Sequence, residues 1–194
     1  RSWHVVDAEG KREASFAPVI DAILKGPDAV FALLRSYLQR LGITQADQVL
    51  FIADGAPWIW KRVPVLVQAL GLSTEQVHEV LDFYHAAEHL GKVAALRKDW
   101  SAKERSRWRN QQRRLLLRGE VAQVIAAVRD ICRGRNSKSI RTHRDYFIKN
   151  QSRMAYAKLL GMKLPIGSGA IESTVRRVVN LRLKGASHFW CRAS

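Results

Sequence analysis

The sequence predicts an α/β fold: a sheet covered by helices, interrupted by a long helical and strongly basic span. Three observations carry this. Short apolar, β-branched runs alternate with helical patterns through the first ninety or so residues. One of those runs, "VLFI", is continuously apolar and ends in Asp54-Gly55, as a buried strand does when its tip carries polar groups. From about residue 91 strand signals disappear, and helix formers rich in Lys and Arg take over.

The elements follow in order. "WHVVDAEGKREASFAPVI" has β-branched residues on both sides of a polar "DAEGK" and predicts a hairpin. "GPDAVFALLRSYLQRLGI" predicts a helix. Pro27 stands at its start, Val30, Leu33, Leu34, Leu38 and Leu41 recur at helical spacing, and Gly42 stops it. "QVLFIADGAPW" is the buried strand, followed by a helix over about 58–70 that ends at "LGLS". "VHEVLDFYHAAEHL" begins as a strand and passes into a helix. In the basic span, Ser101 and Glu104 make a capping box. Val121, Ile125 and Val128 form a helical stripe, and "RGRNSKS" is a polar break. "MKLPIGSG" predicts a loop, and "AIESTVRRVVNLRLKG" a last helix stopped by Gly185. This divides the chain into an α/β core over 1–90, an all-helical basic insertion over 91–164, and a returning helix within 165–194.

Composition narrows the partners. The 194 residues carry 33 Lys+Arg against 17 Asp+Glu, a formal net charge of +16, and the pI is near 10.6. With 47% hydrophobic residues the chain can bury a core. Such a basic surface favours a polyanion, because neutralising phosphates releases counterions. A basic protein that is merely soluble, or one that meets an anionic membrane, gives the same totals. Cys132 and Cys191 lie far apart and form no CxxC pair, which speaks against a zinc site or disulfide framework and fits a reducing cytoplasm. No apolar run approaches the ~20 residues of a membrane span. The chain opens without an initiator methionine and inside a predicted strand, so it reads as a piece of a longer protein.

Three acidic positions stand out against this positive background. Asp54 lies at the carboxyl end of a predicted buried strand, the edge where open α/β sheets bind ligands. An Asp-Gly turn is the plain alternative. Trp58 and Trp60 beside it are read as core packing, with stacking on a flipped base the second choice. In "DFYHAAEH", Asp82 precedes a helix on which His85 and His89 share a face at i, i+4. An acidic N-cap followed by packed aromatics and satisfied histidines explains the same residues. Glu172 falls in the first turn after "GSG", where a carboxylate suits the helix dipole. Arg176 follows at i+4, with Arg177, Arg182 and Lys184 further along. Sparse carboxylates in basic surroundings suit metal-assisted phosphoryl transfer: hard Mg²⁺ ions need a few oxygen ligands, and the cations hold the polyanion.

Four blocks, "FIADGAPWIW", "VLDFYHAAEHLGKV", "LPIGSGAIES" and "VVNLRLKG…FWC", in this order resemble transposases of bacterial insertion sequences. These are of the DDE class, with a ribonuclease H-like catalytic core, in a branch akin to the Mutator-like enzymes. The resemblance covers essentially the whole chain. It implies a ribonuclease H-like mixed sheet flanked by helices and interrupted by the all-helical insertion. It also implies cleavage and strand transfer on double-stranded DNA, with Mg²⁺ (or Mn²⁺) held by three acids. By position, Asp54 matches the second acid and Glu172 the third. Asp82 and His85 match an auxiliary acid-and-histidine pair, and the first acid is expected upstream of Arg1. Asp54, Asp82 and Glu172 as a complete triad is the alternative assignment. Arg176, Arg177, Arg182 and Lys184 are candidate DNA contacts. The resemblance further implies a homo-oligomer during synapsis and a cytoplasmic, nucleoid-associated protein. A nuclease of the same fold that cleaves without joining, and an inactive DNA-binding remnant, are the rival functions.

Overall fold

A computed structural model describes residues 5–6, 12–13, 26–134 and 137–167 of the chain. Within them the architecture is mixed and helix-rich, organised around a small parallel sheet. The predicted hairpin is present as a backbone ladder: β1 (Val5–Val6) pairs antiparallel with β2 (Arg12–Glu13).

The next stretch is a βαβ unit preceded by a helix. Helix α1 (Pro27–Arg40) starts at a proline whose missing N–H would have no partner in a first turn. It ends before Gly42, whose φ of 63° lies in the left-handed region that a side chain disfavours. Strand β3 (Val49–Ala53) leads into α2 (Pro57–Leu70), again opened by proline and closed by a left-handed Gly71. Strand β4 (Val77–Leu81) then lies parallel to β3 in the register Val49↔Val77 through Ala53↔Leu81. Because side chains alternate across a strand, the two faces of this sheet meet different helices. Val49, Phe51 and Val77 pack with Leu66 and Leu70 of α2 and with α1 residues such as Leu34 and Leu38. Leu50, Ile52 and Val80 join a larger core on the other side.

That larger core is built by the helical span. Helix α3 (Phe83–Ala94) is followed by α4 (Ala102–Leu117), α5 (Val121–Cys132), α6 (Lys138–Lys149) and the short α7 (Tyr156–Gly161). The expected capping box holds: the Ser101 hydroxyl accepts from Glu104 N, and Ser101 N donates to Glu104. One buried cluster runs from Val80, Leu81 and Leu90 through Leu116, Val124 and Val128 to Phe147 and Tyr156. The helical span is therefore welded to β4 and α3 through shared apolar burial. Each fully covered Leu or Phe there contributes about 1.5–3 kcal/mol relative to exposure.

Tyr156 fixes where the chain goes next. Its ring is fully buried and edge-on to Phe83, and its hydroxyl donates to the main-chain oxygen of Leu81 at 2.9 Å. Beyond α7, the chain returns to the same place, where Phe83 N donates to the Ile166 oxygen at 3.0 Å. The loop expected over "MKLPIGSG" is non-helical through Gly167, which lies against Tyr84 and Asp82 at the carboxyl edge of the sheet.

Candidate functional site

Asp54 and Asp82 occupy equivalent positions, each one residue past the end of its strand. Ala53 and Leu81 are register partners, and the ladder continues one step further, with Asp82 N donating to the Ala53 oxygen at 2.8 Å. Neighbouring strands are about 4.8 Å apart, so the two acidic residues leave the sheet side by side. Parallel pairing is what does this: both strands run out at the same edge.

Each carboxylate is held by its own local turn. Asp54 Oδ1 accepts from Ala56 N at 2.9 Å, and the main-chain oxygen of Asp54 accepts from the Trp60 indole at 2.8 Å. The turn expected of Asp-Gly and the placement at a strand tip are thus both present. Asp82 is only 4% exposed, and its Oδ1 accepts from Tyr84 N and His85 N at 2.8 and 3.1 Å. It is the N-cap of α3. A buried carboxylate is tolerable there because two backbone N–H groups and the positive end of the helix face it.

The two tryptophans part ways. Trp60 is buried, with the Arg153 guanidinium 4.4 Å above its ring. Trp58 is 40% exposed and meets Phe31 edge-on. The difference follows from helix geometry: two positions apart on α2, the side chains point to different faces.

A histidine and tyrosine cluster closes one side of the site. His85 and His89 share a face of α3 as their spacing predicts, with ring centroids 6.0 Å apart. His89 Nδ1 lies 3.3 Å from His143 Nδ1 of α6, and its ring stacks on Tyr146 at 3.7 Å and 5°. Burial lowers His89 to about 4, and Lys92, His143 and His85 push the same way against an opposing pull from Asp54. Burial, then Lys92, also lowers His143. The His89 imidazole is therefore neutral at pH 7. Burial raises the Tyr146 phenol, and the negative charges of Asp54, Asp82 and Glu88 add to it. The Tyr146 hydroxyl is buried without a hydrogen-bond partner among the described residues.

Two glycines let the chain close around this edge. A Cβ on Gly55 would meet Tyr146 Cε2, lie 2.9 Å from Tyr146 Cδ2, and stand 3.1 Å from Asn150 Nδ2. A Cβ on Gly167 would fall 2.8 and 2.9 Å from the Tyr84 ring and 3.5 Å from Asp82 Oδ1. Gly55 thus admits α6, and Gly167 admits the chain segment that leads toward position 172.

Glu172 itself, with Arg176, Arg177, Arg182 and Lys184, lies outside the described residues, as does Cys191. Cys132 is buried in α5. Among the described residues no group of three or more His, Cys, Asp or Glu side chains is arranged to hold a metal ion. No helix there is long and apolar enough to cross a membrane. Asp54 and Asp82 are hard oxygen donors and suit Mg²⁺ or Mn²⁺ in kind, as a pair that needs a third ligand.

His143 and Tyr146 were not singled out by sequence reasoning. Both come from "IRTHRDYF" in the helical span, 54 residues from His89 in one case, and nothing local marks them as neighbours of Asp54. No protein-family model, no curated protein and no solved structure matches the chain.

Proposed function

We propose that this chain is the catalytic region of a bacterial DDE-class transposase that cuts and joins double-stranded DNA on a ribonuclease H-like core. The observation that carries the reading is the side-by-side exit of Asp54 and Asp82 from paired parallel strands at one sheet edge. Ligands of open α/β sheets bind at that edge. The docking of Gly167 against Asp82 and Tyr84 supports it further, because Glu172 follows only five residues later.

In this reading Asp54 and Glu172 hold Mg²⁺ or Mn²⁺, with Asp82 as auxiliary acid or third ligand and His85 beside it. Such cations activate the attacking oxygen and stabilise the leaving one when bound. The chain's own contribution is positional. The sheet ladder fixes Asp54 against Asp82, the α3 N-terminus holds the Asp82 carboxylate in place, and Arg176, Arg177, Arg182 and Lys184 supply phosphate contacts. The net charge of +16 suits a DNA partner.

The test is a cleavage and strand-transfer assay with the full-length protein on its own element ends, in Mg²⁺ or Mn²⁺. Asp54→Asn and Glu172→Gln are expected to abolish both steps while leaving DNA binding intact. Activity that survives either substitution rejects these ligands. Cleavage without joined product identifies the strand-cutting nuclease instead, and binding without cleavage identifies an inactive remnant.

A further inference from the structure

Beside Asp54, a cleft of about 580 Å³ opens between the start of α2 and the outer face of α6. Five cations line it: Lys61 from α2, Lys138, Arg141 and Lys149 from α6, and Arg153 just beyond. The acid in its wall, Asp145, is already paired to Arg144 at 2.9 Å. Arg153 is paired to Glu79 at 2.6 Å. Lys61, Lys138, Arg141 and Lys149 have no ion-pair partner among the described residues, and all four are exposed. Four exposed like charges around one cavity make a positive patch that favours a bound polyanion.

The spacing suits an extended polyanion. Lys138, Arg141 and Lys149 fall on one face of α6, opposite the core-facing Ile140 and Phe147. From Lys138 to Lys149 the helix rises about 16 Å at ~1.5 Å per residue. Measured along the axis of a DNA duplex, one strand carries a phosphate per ~3.4 Å, so about five fall within that rise. The inner wall is formed by Gly55, Trp60 and Tyr146, so the cleft ends at the Asp54 turn.

We propose that this cleft is a backbone track, in which the outer face of α6 and Lys61 grip the phosphates of one DNA strand and lead it to the Asp54–Asp82 edge. The choice of DNA and the direction of the track rest on the function proposed above; the grip itself needs no metal and no catalysis. Tyr146, whose buried hydroxyl has no hydrogen-bond partner among the described residues, stands where the track meets the carboxylates.

The experiment is fluorescence anisotropy in EDTA, using fluorescein-labelled duplex and single-stranded oligonucleotides of about 20 nucleotides over about 50–300 mM NaCl. Lys138→Gln, Arg141→Gln and Lys149→Gln are combined in one variant. The comparison variant removes three exposed arginines, Arg107 and Arg114 of α4 and Arg118 at its C-cap, and so changes net charge equally. The α6 variant is expected to lower the slope of log K against log salt by about 3 on duplex or about 2 on a single strand. Its affinity should fall at least about tenfold near physiological salt. The α4 variant should change the slope by less than about 1. Equal effects of the two variants, or an unchanged slope in the α6 variant with its circular dichroism melt intact, overturn the proposal. The two readings fail separately. An α6-dependent grip with no cleavage by the full-length protein sinks only the transposase reading. Cleavage by a full-length protein whose binding ignores the α6 variant sinks only the track.

Discussion

Gly55→Ala tests how the site is closed. The added methyl would sit 2.9 Å from Tyr146 Cδ2 and closer still to Cε2, with Asn150 Nδ2 at 3.1 Å. Carbon pairs rest at about 3.5–4.0 Å, so the ring must retreat by roughly 1 Å. It cannot do so freely, because the ring is stacked on His89 at 3.7 Å. Overpacking of this kind costs about 1–3 kcal/mol. In a domain of this size that lowers Tm by about 2–12 °C. Thermal melts and urea titrations of the wild type, Gly55→Ala, Tyr146→Leu and the double variant form the assay. Tyr146→Leu removes the ring that the methyl strikes, so Gly55→Ala should cost at least about 1 kcal/mol less in that background. A Gly55→Ala protein as stable as wild type, or an identical cost in both backgrounds, would refute the close approach of α6 to the Asp54 turn.

Two further outcomes follow from the same geometry. Asp82→Ala removes the α3 cap and should cost about 1–2 kcal/mol, whereas Asp82→Asn, itself a good N-cap, should stay within about 0.5 kcal/mol of wild type by urea titration. If Asp82→Asn nonetheless loses metal-dependent cleavage, the charge serves chemistry rather than folding. His89 is held below its ordinary range, so the unfolded chain takes up the proton first as pH falls. Stability from this group is complete above about pH 6.5 and is lost as pH drops toward about 4. The full displacement corresponds to about 3 kcal/mol, which solvent screening of a half-buried ring reduces to about 1–2. Stability measured against pH should therefore fall less steeply over that window in His89→Phe than in wild type.

Local patterns fixed much of what was legible. Pro27, the glycines at 42 and 71 and the capping box at Ser101 act over a few residues, so the limits of α1, the end of α2 and the start of α4 could be read from the sequence. The same holds for the placement of Asp54 at a strand tip and of Asp82 before a helix. Sequence also gave the surplus of positive charge, which depends on composition alone.

What tertiary structure decided is which of these parts meet. Parallel pairing of β3 with β4 sets Asp54 beside Asp82, although 28 residues separate them in the chain. The shared core of β4, α3 and the later helices brings Tyr146 and His143 onto His89 and turns one face of α6 into the wall of a cleft. Such contacts arise from apolar burial summed over many side chains, which is non-directional and long-range in sequence. A short stretch can declare its own shape, but only the collapsed core selects its neighbours.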